Sequence, residues 1–175
     1  MTPTGKLFSF YFTTTFVSAY AGYYALKLLI PGRDVFGSLY RMFLYHEEHP
    51  LPYIAIVALT YAGVATFSVT RWRHFTGWRR SLVILAIMAA SVTIASIPGG
   101  MLWVVHDMIA GFVPSIERTI SYLRWGALAG LQVGWIIVAT SFPFSLVGAV
   151  LGYIVTNQGF ENKNGGHSKR RWFGA

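Results

Sequence analysis

The sequence predicts an all-α integral membrane protein: four transmembrane helices, with two short interfacial amphipathic helices on the outer face. Three observations carry this. Hydrophobic residues make up 54% of the chain and charged residues 11%, with a mean hydropathy of +0.50, which is membrane composition and not that of a soluble globule. Long segments run with one charge or none. The lysines and arginines gather on alternate connections, as a topology signal requires. The 175 residues allow one domain, read as a four-helix unit over 1–156 followed by a basic, partly mobile cytoplasmic tail over 157–175.

The first segment, Leu7 to Ile30, is interrupted only by Lys27, whose ammonium can snorkel from the helix end. Ser18-Ala-Tyr-Ala21 resembles a signal-peptide cleavage site, but the segment stays apolar beyond it, so an uncleaved span is expected. Thr14, Ser18 and Gly22 fall four apart and make a small-residue face. Pro31-Gly32 ends the span. Arg33 to Tyr45 then has its apolar residues on one side, with Asp34 as a cap, and reads as the first interfacial helix. It leads into His46-Glu47-Glu48-His49-Pro50.

A second span is expected from Leu51 to Thr70. The turn Arg71 to Arg80 holds four arginines, two tryptophans and no acid, which suits the headgroup level of the cytoplasmic face. A nucleic-acid patch is the alternative, but ten residues between two spans give it no fold to sit on. The third span runs from Ser81 to about Val105 and contains Pro98, Gly99 and Gly100. A proline there removes a backbone donor, so this is either a tolerated kink or a hinge with carbonyls facing a cavity. Beyond His106 and Asp107, Pro114 can open a helix toward Arg124, the second interfacial helix.

Trp125 to Thr156 carries no charge at all. Gly126, Gly130 and Gly134 recur at four-residue spacing, and Ser141, Ser145, Gly148 and Gly152 continue the stripe after a break at Val138. Helices in lipid associate through close backbone approach at such stripes, so a partner helix is expected, with the face on the first span as one candidate. As one helix this segment would measure about 48 Å against a hydrocarbon core of about 30 Å, so it tilts, protrudes or bends at Pro143. With four spans, Lys6, Arg71, Arg73, Arg79, Arg80, Lys163, Lys169, Arg170 and Arg171 share one side, nine of the fourteen bases, and five of the six acids lie on the other. Both termini are therefore expected in the cytoplasm and the protein in a plasma (inner) membrane.

The absence of cysteine excludes disulfides, thiolate metal sites and cysteine nucleophiles. There is no GxSxG elbow, no GxxxxGK[ST] loop and no GxGxxG. No acid or base lies deep in a span, and Gln132 is the main strongly polar group there, suited to a helix–helix hydrogen bond. One cluster remains for chemistry. His46, Glu47, Glu48, His49, His106, Asp107 and Glu117 are all expected on the outer face, and a divalent metal such as zinc would take ligands from His46, Glu47, His49, His106 and Asp107. The same residues also suit a solvated loop.

Three function classes follow. The first is a non-enzymatic membrane subunit, packed through small-residue faces against other subunits or copies of itself in the lipid bilayer. The second is a small homo-oligomeric channel or transporter with Pro98-Gly99-Gly100 as its flexible element. The third is a metal-dependent membrane enzyme. Nucleic acid is not among the expected partners.

Overall fold

The computed structural model of the chain describes residues 2–29, 49–112, 118–140 and 144–171. These form five helices, which we label in order: α1 (Pro3–Leu29), α2 (Pro50–Arg71), α3 (Gly77–Ile109), α4 (Thr119–Thr140) and α5 (Phe144–Arg171). No strand occurs among the described residues. Two of the helices, α2 and α3, are long and apolar enough to cross a membrane.

Local chemistry sets the helix ends. Pro50 and Pro52 occupy the first turn of α2, where a missing amide hydrogen costs nothing. The helix closes when the amide of Trp72 donates to the Ser68 carbonyl at 2.8 Å. A short turn follows, and Gly77 enters α3 with φ of 55°, a conformation in which a Cβ would clash. At the far end of α3, Gly111 has φ of 77°, its amide donates to Met108 and that of Phe112 donates to Asp107. This paired pattern satisfies carbonyls that would otherwise end the helix unbonded.

The helices α1, α2 and α3 pack as a row of neighbours, and α4 lies against α3 alone among its extensive contacts, while α5 touches α1, α2 and α3. The main core joins Tyr11 of α1, Tyr61, Ala62, Ala65 and Val69 of α2, Ile84 and Ile87 of α3, and Phe160 of α5. It sits at the end of the bundle that carries the arginine-rich turn. Along α1, Phe8, Phe12, Phe16, Tyr20 and Tyr24 form a ladder of ring contacts at i, i+4 spacing, with centroids between 4.7 and 6.5 Å apart.

Several sequence expectations are corrected here. The uncharged stretch 125–156 is carried by two described helices: α4 runs to Thr140 and α5 begins at Phe144, while Pro143, the expected bend, lies outside the described residues. The two pieces still descend once. Gly130 meets Gly100 and Ser96, Gly134 meets Ser96 and Gly152 faces Met88. Tyr153 bonds Ser81, and the Asn157 carbonyl takes a bond from Arg80. Progress along α4 and α5 is thus always backward along α3.

Among the described residues no separate interfacial helix lies between Met108 and Arg124: α3 runs on to Ile109 and Thr119 opens α4, while 113–117, with Pro114, lie outside the described residues. The other expected interfacial helix, 33–45, lies outside the described residues. Beyond Thr156, α5 stays helical to Arg171 and places Phe160 in the core with no exposure. The folded unit therefore does not stop at residue 156, since burial of an aromatic ring holds the following turn.

Candidate functional site

Three places deserve a functional reading, and each is built from side chains that the helices bring together. The first is the contact of α3 with α4. A Cβ on Gly126 would lie 2.6 Å from the carbonyl oxygen of Gly100, and one on Gly100 would lie 2.8 Å from the Cα of Gly130. On Gly130 it would overlap the Ser96 carbonyl, and on Gly134 the Ser96 hydroxyl. The stripe Gly126–Gly130–Gly134 therefore fits the stripe Ser96–Gly100–Val104. The partner of the glycine face is α3 of the same chain and not α1.

The rest of the expected small-residue face is dispersed. Ser141 lies outside the described residues, Ser145 is half-buried, and Gly148 and Gly22 have open space where a Cβ would go. Gly152 has only ordinary contact with Met88. Thr14 and Ser18 are half-buried on α1, away from α4. The Pro98-Gly99-Gly100 segment is helical throughout, since α3 runs unbroken from Gly77 to Ile109. Gly100 is held against α4, so no unwound segment forms there.

The second place is the end of the bundle away from the arginine-rich turn, where α2 and α3 bring histidines together. The rings of His49 and His106 stand with centroids 5.1 Å apart, and the Tyr53 hydroxyl lies 3.2 Å from His106 Nδ1. Sequence spacing gives no hint of Tyr53, which reads simply as a span residue. Among the described residues, no three His, Asp or Glu side chains converge as a metal site requires. His46, Glu47 and Glu48, together with Glu117, lie outside the described residues. Zinc commonly takes at least three protein ligands, and two imidazoles with one ring nitrogen engaged by a tyrosine fall short of that set.

The third place is the end of the bundle that carries the arginine-rich turn, where α5 is fastened. The Tyr11 hydroxyl donates to the Thr156 carbonyl at 3.5 Å. The Tyr61 hydroxyl lies between the Gly152 carbonyl at 3.0 Å and the Thr156 hydroxyl, and Thr156 itself donates to Gly152 at 2.7 Å. Arg80 donates to the Asn157 carbonyl and to Glu161 Oε1 at 3.4 Å, while its guanidinium stands 5.1 Å from the Phe160 ring centroid. Asn157 also donates to Glu161 at 2.9 Å. In a low-dielectric setting such bonds matter because the alternative is an unpaired polar group. A sequence signal for this existed: Glu161 is the one acid on the base-rich side, and an arginine was the obvious partner.

One polar side chain has no such role. Gln132 is exposed midway along α4, about 200° around the helix from Gly130 at 3.6 residues per turn, and it is bonded to no other described residue. The helix–helix hydrogen bond expected for it is not made within the described chain. Comparison of the sequence and structure with known protein families, curated proteins and solved structures finds no match.

Proposed function

We propose that the chain is a non-enzymatic integral membrane subunit that crosses the bilayer four times, with both termini in the cytoplasm. Helices α1, α2 and α3 are three crossings, and α4 with α5 together make the fourth. Two facts support this topology. The α4–α5 register against α3 is monotonic, which is a single descent, and the positive-inside count puts the 71–80 turn and the tail on one side.

The observation that carries the subunit reading is Gln132. A primary amide facing hydrocarbon without a partner costs several kcal/mol on alkane-transfer scales, roughly 4 or more, and helices in lipid meet this by hydrogen-bonding across to another helix. Because α4 packs on α3 and leaves Leu128 and Gln132 exposed among the described residues, we take the covering helix to come from another chain. That chain is either a different membrane subunit or a second copy.

The deciding experiment is the mass and composition of the complex extracted in mild detergent, for the wild type and for Gln132→Leu. An assembly larger than the 19.5 kDa chain that weakens in the variant supports the reading. A wild-type monomer with no associated protein would sink it.

A further inference from the structure

A groove of about 1100 Å³ opens between the start of α1 and the end of α2, beside the arginine turn. Its walls are of two kinds. Phe8 and Phe67 are apolar, and Gly63 leaves its floor open, since a Cβ there would meet nothing within 4 Å. At the turn end the lining is Arg71, Arg73 and His74, and no Asp or Glu lines it among the described residues. A third observation is independent of charge. Thr66 is 6% exposed and lines the groove, yet its hydroxyl is buried with no hydrogen-bond partner. A buried hydroxyl normally finds one, so Thr66 offers an unengaged polar group at the groove wall.

From these we propose that the groove binds one anionic phospholipid of the inner leaflet, its phosphate at Arg71 and Arg73 and the first part of an acyl chain over Gly63. This rests on the membrane topology proposed above, which puts the arginine turn at headgroup level. The dimensions agree. Gly63 to Arg71 spans eight residues, about 12 Å of helix, which is the reach from a phosphate past the glycerol ester to the upper acyl carbons. The polar order agrees too: cations at the rim, a hydroxyl at Thr66 suited to an ester or glycerol oxygen, then Phe67 and Phe8 for methylenes. Arginine forks pair well with phosphate oxygens, and a basic group near an anionic membrane surface contributes about 1 kcal/mol.

The test titrates the full-length protein with dioctanoyl phosphatidylglycerol, dioctanoyl phosphatidylcholine and inorganic phosphate at equal ionic strength, counting bound ligand by native mass spectrometry. The expected result is one phosphatidylglycerol bound, with phosphatidylcholine much weaker and free phosphate not retained. Arg71→Gln with Arg73→Gln should weaken the lipid about thirtyfold, from about fivefold for each arginine. Gly63→Leu should block the groove while leaving the melting temperature the same or slightly higher, because the added side chain enters open space and a helical glycine is removed.

Equal binding of the two lipids, or retention of free phosphate in place of lipid, would overturn the proposal. So would wild-type binding by both variants in folded protein. Alkaline carbonate extraction separates the two claims: release of the chain from membranes refutes the topology, while the short-chain lipid, soluble in water, still reports on the groove.

Discussion

Replacing Gly130 by alanine adds one methyl group to a place where there is no room for it. The new Cβ would overlap the Ser96 carbonyl oxygen and approach the Gly100 Cα to 3.1 Å. Both obstacles are backbone, so no rotamer change relieves them, and α4 must move away from α3. Forcing an extra carbon into a packed contact costs about 1–3 kcal/mol. Against this stands the gain from helix propensity, about 1 kcal/mol for glycine to alanine. Separation also loses the dispersion contacts along Gly126 and Gly134, and among the described residues α4 packs extensively against α3 alone.

The overlap cost less the propensity gain leaves a net loss of about 1 kcal/mol, to which the lost contacts add. The control is Gly148→Ala, at a helical position with nothing within 4 Å of the added atom, where the propensity gain alone remains. The assay is reversible unfolding in mixed micelles of mild detergent and dodecyl sulfate, followed by far-UV circular dichroism. Gly130→Ala should unfold at lower denaturing-detergent fraction than the wild type, and Gly148→Ala at the same or a higher one. If Gly130→Ala matches Gly148→Ala, the helices do not approach closely and the glycine contact is wrong. Gly130→Leu with Gly134→Leu should go further and detach α4 altogether.

Four other outcomes are expected. Ending the chain after Thr156 should destabilise the bundle by about 3–5 kcal/mol, the usual cost of losing a buried phenylalanine, whereas ending it after Glu161 should cost far less; melting curves of the two truncations decide. Phe160→Ala should reproduce most of the first loss, and an unchanged melting temperature would place Phe160 outside the core. Since the chain has no cysteine, a single cysteine at His74 should resist an impermeant maleimide added outside intact cells and one at Gly111 should react; the reverse pattern refutes the topology. Arg80→Gln should lower stability, and the double variant Arg80→Gln, Glu161→Gln should show less than the summed loss, because the two side chains share one network.

How much of this was legible in the residues depended on which physical rule applied. Glycine at four-residue spacing announces close helix contact, and Gly126, Gly130 and Gly134 make one. The spacing cannot say which helix answers, because Ser96, Gly100 and Val104 carry a mixed set of sizes that no pattern search favours over Thr14, Ser18 and Gly22. The length of the uncharged run showed that it could not cross as one straight helix and left tilt, protrusion or a bend at Pro143 open; the described residues divide into α4 and α5 on either side of 141–143. The reading of Pro98 to Gly100 as a hinge attended to the proline and missed that Gly100 was half of the glycine contact.

The candidate sites were less legible still. The His46–His49 stretch drew attention because it is polar, yet His106 engages Tyr53, a residue that hydropathy assigns to a span and nothing more. Arg80 looked like one of several topology charges, and its bond to the Asn157 carbonyl depends on where the last helix lies. The groove beside Gly63 and Thr66 left no trace in the sequence, because it comes from two helices that are distant along the chain.

The fastening of α5 has a consequence for the order in which the molecule is made. Tyr11 and its acceptor at Thr156 are separated by 145 positions, and Tyr61 from the same threonine by 95. On the ribosome, the first three helices are complete before any of these acceptors has been synthesised. Two tyrosine hydroxyls and an arginine therefore wait in a half-built bundle until the final helix arrives. Non-local closure of this kind is slow, and until it is complete these side chains lack the partners that α5 supplies.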